Sequence, residues 1–147
     1  MIRPATLADL DSLALLFDAY RVFYKKPSAL TEGRQFLADR MAGNESRIFV
    51  AEEPDSGTLV GFVQVYPLFS STRMKRLWLL NDLFVQADRR GQGNSLALID
   101  AAKTLCYETD ACGLMLETDK TNLIGNCLYP RAGFTLDSNH NFYSWNV

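Results

Sequence analysis

The sequence predicts an α/β chain of the α+β kind: a mixed, mostly antiparallel sheet with helices on both faces. Apolar residues recur at helical spacing from Leu10 to Tyr24 and again from Leu96 to Tyr107. Two β-rich runs, Ile48 to Glu52 and Leu59 to Tyr66, are split by the turn signal Pro54-Asp55-Ser56-Gly57 and read as an antiparallel hairpin. A third apolar run, Trp78 to Val85, passes through Arg89-Arg90-Gly91-Gln92-Gly93-Asn94-Ser95 into the second helical stretch. Strands and helices alternating in this way bury their apolar faces against one another in layers.

Each element has a local reason. Ile2 to Ala5 makes a short first strand, and Thr6 with Asp9 three residues on is a short capping box opening the first helix. Lys25-Lys26-Pro27 stops that helix. Thr31 caps a second one carrying Phe36, Leu37, Arg40 and Met41, and Gly43-Asn44 ends it. After the hairpin the central strand runs from Arg76 to Val85, and Gly93 to Glu108 is helical. Leu114 to Glu117 is a short strand and Asn122 to Tyr129 a short helix. Phe134-Thr135-Leu136 and Asn141 to Trp145 close the chain as two strands around the turn Asp137-Ser138-Asn139-His140.

A chain of 147 residues fits one domain, residues 1–147. Hydrophobic residues at 48% and charged residues at 22% exclude disordered and fibrous classes. A net charge of −2 supplies no basic field, so a nucleic-acid partner is not expected. Positive charge gathers locally at Arg73, Lys75 and Arg76 and at Arg89 and Arg90, while Asp82, Asp110, Glu117 and Asp119 lie near the same central segments. A small anionic cofactor and a cationic substrate suit that arrangement. Cys106, Cys112 and Cys127 are odd in number and lack C-x-x-C spacing, which argues against a disulfide framework or a metal site. No apolar run approaches the roughly 18 to 20 residues of a membrane span, and the expected location is cytoplasmic, away from membranes.

The glycine junction is the feature with most chemistry. Backbone N–H groups and the positive dipole end of the following helix attract phosphate oxygens there. A dinucleotide fingerprint would need its third glycine where Leu96 stands, and a Walker-type loop needs a Gly-Lys pair that the chain lacks. Two glycines also suit an ordinary strand-to-helix turn, and Arg89 and Arg90 suit a solvated surface. A serine hydrolase elbow is excluded, since Gly93-Asn94-Ser95-Leu96-Ala97 lacks the second glycine.

Arg90-Gly91-Gln92-Gly93-Asn94-Ser95 resembles the [QR]-x-x-G-x-[GA] pyrophosphate loop of the GCN5-related N-acetyltransferase superfamily. Leu80-Asn81-Asp82-Leu83-Phe84-Val85 looks like that family's central strand. Leu114 to Thr118, Asn122 and Leu128-Tyr129-Pro130-Arg131-Ala132-Gly133-Phe134 look like its second signature. The likeness spans residues 78 to 136. Ser95 departs from the usual glycine or alanine, and Pro130 follows Tyr129 where the family more often continues its helix.

The resemblance implies transfer of an acetyl group from acetyl-CoA to an amine, by direct attack in a ternary complex; an acetyl-cysteine is not expected, since Cys127 has no basic partner in sequence. It implies a central strand that bulges and splays from the strand at Leu114, with pantetheine bonded to the backbone of Leu83, Phe84 and Val85. The diphosphate would lie on Arg89, Arg90, Gly91, Gln92, Gly93, Asn94 and Ser95, with Asn122 and Asn126 also contacting the cofactor and Tyr129 protonating the leaving thiolate. Asn122 also reads as a helix cap and Tyr129 as a packed aromatic. An alkylamine has a pKa near 10.4, so a base is required, and Asp82 and Glu117 are the candidates, each equally an ordinary carboxylate near a strand end. The closest likeness is to the histone and polyamine acetyltransferase branch, whose acceptors are small amines, polyamines or lysine side chains. A homodimer through the last strands, with Phe142, Tyr143 and Trp145, is a further implication, although those rings suit a core equally well. Two rivals share the fold: a CoA-binding sensor without turnover and a peptide N-terminal acetyltransferase.

Overall fold

A computed structural model describes residues 1–147, which divide into two compact units, Met1–Glu117 and Thr118–Val147. The first unit contains β1 (Ile2–Pro4), α1 (Leu10–Phe23), α2 (Leu30–Ala42), β2 (Arg47–Glu52), β3 (Leu59–Ser70), β4 (Lys75–Val85), α3 (Asn94–Glu108) and β5 (Leu114–Met115). Single 3-10 turns precede α1 and follow β4. The strands form one sheet in the order β1-β2-β3-β4-β5, antiparallel except for the parallel pair β4–β5. No helix is long and apolar enough to cross a membrane.

The two faces follow from strand alternation. Leu13, Leu16 and Phe17 of α1 and Leu37 of α2 pack on Ile48, Val50 and Phe62 on one face. Leu98, Ile99 and Ala102 of α3 are fully buried on the other, where Leu98 and Val85 meet over Gly61. The expected helix termini are realised with one change. Asp9 Oδ2 accepts from the Thr6 amide at 2.7 Å, as the capping box requires. The start of α2 is held from outside instead of by Thr31: the Asp18 carboxylate of α1 accepts from the Ala29 amide and the Ser28 hydroxyl, both at 2.7 Å. A contact eleven residues away carries no local sequence signal.

The β3–β4 ladder has one irregularity, and it matters. Gln64 pairs with Asp82 but Val65 pairs with Leu80, so Asn81 is an extra residue, a β-bulge. One inserted residue flips the side chains that follow to the other face. Trp78, before the bulge, bonds through Nε1 to Thr109 at the end of α3. After it, Asp82 and Phe84 point to the α1 face, where the Phe84 ring meets Tyr20 edge-on at 6.4 Å. β5 pairs only with Trp78 and Leu79, so β4 continues from Leu80 to Val85 with one edge unpaired by any strand. The bulge and the splay are the features the resemblance implied.

The second unit holds α4 (Leu123–Arg131) and a non-regular segment to Val147. Here two sequence expectations fail. Pro130 does not end the helix at Tyr129; it sits in the last turn, where its missing N–H removes one ladder bond only. The segments Phe134-Thr135-Leu136 and Asn141 to Trp145 are not strands. Their turn does form, since Asp137 Oδ1 accepts from the Asn139 amide at 2.8 Å and the His140 amide at 3.2 Å. β-propensity describes a side chain's fit to a paired surface, and without a paired neighbour it produces no ladder.

Candidate functional site

The unpaired edge of β4 has a defined hydrogen-bonding pattern. The Gln86 amide donates to the Val60 carbonyl on β3 at 2.9 Å. In an antiparallel pair the backbone groups of successive residues face alternate sides, so those of Leu83 and Val85 face away from β3, into the open edge. Phe84, opposite Phe62, turns its backbone toward β3 and contributes a ring to the α1 face. An extended ligand carrying amide groups can add to this edge as a further strand.

Beyond the edge the chain enters the glycine loop. Gly91 has φ +74° and Gly93 φ +83°, and a Cβ built on either would meet nothing within 4 Å. Glycine is required there by backbone conformation, with open space in front of it. The amides of Gly93, Asn94, Ser95 and Leu96 open α3 without intrahelical acceptors; the first helical bond is from Ala97 to the Gly93 carbonyl at 3.0 Å. Gln92 lies between the two left-handed glycines, and Asn94 Nδ2 steadies the loop on the Arg89 carbonyl at 3.2 Å. The geometry is a concave run of donors at a helix start, suited to an anion.

The two arginines part company. Arg89 is committed to acidic neighbours, its Nε on Glu53 and its Nη1 on Asp88 at 3.1 Å, and the Glu53 carboxylate holds its pKa above the ordinary value. Arg90 reaches back: its Nε donates to the Val85 carbonyl at 3.0 Å, and its guanidinium lies over the rings of Phe23 at 5.4 Å and Phe84 at 5.9 Å.

The two candidate bases differ sharply. Glu117 is exposed, two residues beyond β5. Asp82 is 3% exposed, and burial pushes its carboxyl above the usual carboxylate range, opposed by hydrogen bonds from Gln64, Tyr20 and Asn81. Gln64 Nε2 donates to Oδ2 at 2.7 Å and Asn81 Nδ2 to Oδ1 at 3.0 Å. The Tyr20 ring packs between Phe17, Tyr24, Phe62 and Phe84, which fixes its hydroxyl at this end of α1. The Tyr66 phenol is pushed up to about 12, first by burial and then by the Asp82 charge. Tyr20, Gln64 and Tyr66 were missed by sequence reasoning. The available signal was Gln64, a lone polar residue inside the apolar run Leu59 to Tyr66.

In the second unit, Asn122 is a helix cap: its Oδ1 accepts from the Gly125 amide at 3.1 Å while its Nδ2 donates to Thr118 Oγ1 at 2.9 Å. Asn126 Nδ2 bonds to the carbonyls of Asn122 and Asp119 at 2.8 and 2.9 Å. Tyr129 is half-buried, with its ring edge-on to Phe134 at 5.8 Å. Cys106 is buried, which raises its thiol pKa. The exposed His140 pairs with Asp137 at 2.7 Å.

Residues 13–134 match the model of the acetyltransferase (GNAT) family. An uncharacterized N-acetyltransferase of Bacillus subtilis (strain 168), YhfO, is 40% identical over 99% of this chain and 97% of that protein. A crystal structure of a probable acetyltransferase is 37% identical and covers 100% of this chain and 97% of its own, with a TM-score of 0.96. The fold is also similar, at 19% identity and a TM-score of 0.84 over 100% of this chain and 95% of that one, to an aminoglycoside acetyltransferase from an uncultured soil metagenomic sample.

Proposed function

Because the chain belongs to the acetyltransferase (GNAT) family and is an N-acetyltransferase, we propose that it acetylates a primary amine by direct attack on acetyl-CoA in a ternary complex. The acceptor is a small amine, a polyamine or a lysine side chain. The observation that carries the reading is the open edge of β4 beside the glycine loop: the backbone of Leu83 and Val85, joined to no other strand on that side, fits the amides of a pantetheine arm, and the amides from Gly91 to Ser95 fit a diphosphate. Acetyl-CoA supplies the acetyl thioester and the acceptor supplies the attacking nitrogen; the chain binds and orients both.

The Leu83 and Val85 backbone groups orient the arm as an added strand. An N–H there polarises the thioester oxygen, an effect worth about 3 to 4 kcal/mol for a well-placed donor. Arg90 leaves the Val85 carbonyl as pantetheine takes its place, which releases the guanidinium toward the diphosphate. Asp82 accepts the amine proton directly or through water, and Tyr129 donates one to the departing sulfur. Asn122 and Asn126, which order the start of α4, are the further cofactor contacts of this proposal. Aromatic rings around one buried carboxylate suit a cationic acceptor before it loses its proton.

Thiol release from acetyl-CoA over a panel of amines tests the proposal, with release expected for at least one polyamine or lysine-like amine. Binding without release across the panel contradicts it. Gly91→Val is expected to weaken acetyl-CoA binding about tenfold, since a β-branched residue at positive φ costs roughly 1 to 2 kcal/mol. Calorimetry reads the change.

The reading extends to a homodimer through the last residues. Phe142, Tyr143 and Trp145 are 72%, 91% and 87% exposed. Rings of this kind bury roughly 150 to 250 Å² each. Buried on both subunits, with the surface they cover, they reach the roughly 1,200 to 2,000 Å² of a stable interface. Sedimentation is expected to give a dimer, and a monomer for the triple serine variant of these positions. A monomeric unsubstituted chain contradicts this.

A further inference from the structure

We propose that Gln64 is the positioning residue for Asp82, holding one carboxyl group in place both with and without its proton through a reversible side-chain amide. The inference rests on the reading of Asp82 as the base. It starts from register: the β3–β4 ladder sets Gln64 directly opposite Asp82, at the last pair before the bulge that turns Asp82 toward α1. Gln64 is 0% exposed and its Nε2 lies 2.7 Å from Asp82 Oδ2. Its Oε1 is equally enclosed and has no hydrogen-bond partner. An orphaned acceptor is unfavourable, and an apolar side chain would suit the surrounding strand better.

Base chemistry accounts for the orphan. When the attacking nitrogen gives up its proton, the N–H bond breaks, an O–H bond forms on Asp82, and the nitrogen keeps its electron pair for the thioester carbon. A carboxylate only accepts hydrogen bonds, whereas a carboxylic acid also carries an O–H that needs an acceptor. A glutamine amide offers both at one position, because a half-turn of its end group exchanges N–H₂ for C=O. Gln64 thus donates to the ionised Asp82 and, after that rotation, presents Oε1 to the protonated form. Asn81 bonds the other oxygen from an exposed bulge position, where water can replace it.

The other groups facing Asp82 lack this reversibility in a buried place. Tyr20 of α1 also bonds the carboxylate, and its phenol can donate or accept, but from a part-buried position. Tyr66 of β3 feels the Asp82 charge and that of Arg40 on α2, and the Arg90 guanidinium lies over the Phe84 ring on the same face.

Two measurements test the inference. In the unsubstituted protein, the side-chain NH₂ resonances of Gln64, followed by nitrogen-15 NMR, are expected to titrate at the same midpoint as the acidic limb of the kcat/KM profile. Resonances that stay flat across that limb, or move at another pH, overturn it. Gln64→Leu is expected to move the acidic limb upward by about 1 pH unit, the difference between a lost hydrogen bond to the charged form and a weaker one lost from the neutral form, with KM for acetyl-CoA unchanged. In the Asp82→Asn background the same substitution is expected to lower kcat no further. A limb that stays in place in a folded Gln64→Leu protein overturns the inference; where that variant does not fold, the NMR titration decides. Full activity in Asp82→Asn would instead defeat the base reading, while the NMR titration still reports on the Gln64–Asp82 pair.

Discussion

Asp82→Asn is expected to lower kcat/KM by about 10²- to 10⁴-fold, the usual contribution of a positioned general base, and to raise thermal stability at neutral pH. Both effects come from one fact: a carboxylate that is 3% exposed. Burial raises its pKa in the folded chain above the unfolded value. The charge therefore destabilises the fold above the folded pKa, and that penalty fades as pH falls through it toward the unfolded value near 3.9. Asparagine resembles the neutral acid, so its advantage in melting temperature is present at neutral pH and lost near pH 4. Glu117→Gln, at an exposed position, is expected to leave rate and stability near those of the unsubstituted protein. An Asp82→Asn protein with full activity would move the base elsewhere.

Tyr129→Phe is expected to reduce kcat by about 10²-fold or more with little change in KM for acetyl-CoA. The ring contact with Phe134 and the bond from the Phe134 amide to the Tyr129 carbonyl at 3.0 Å need no hydroxyl. Phenylalanine keeps both, so the substitution removes a proton donor from an intact helix end. Steady-state kinetics with a saturating amine measures the loss. An unchanged kcat would mean that the leaving sulfur takes its proton from water or another group.

Local signals were legible in the sequence. The capping box at Thr6 and Asp9, the hairpin turn from Pro54 to Gly57 and the strand-to-helix glycines each act within a few residues, and each stands where the sequence put it. Contacts between distant residues were not legible. Asp18 capping α2, Glu53 capturing Arg89 and Gln64 facing Asp82 all depend on which strands and helices become neighbours. A bulge in the central strand came into view through resemblance alone, and its place at Asn81 only with the strand pairing, since no composition rule marks an extra residue in an apolar strand. The closing segment shows the converse limit. Its aromatic residues suited two strands, yet a strand is made by the strand beside it, and none of these residues lies in a sheet.

Titrating coenzyme A into nitrogen-15-labelled protein tests the central claim most directly. The account predicts the largest amide shifts at Leu83, Val85 and Gly91 through Ser95, with the Arg90 Nε signal moving as it leaves the Val85 carbonyl. Saturable binding that leaves these amides unmoved, or no binding at all, would contradict it.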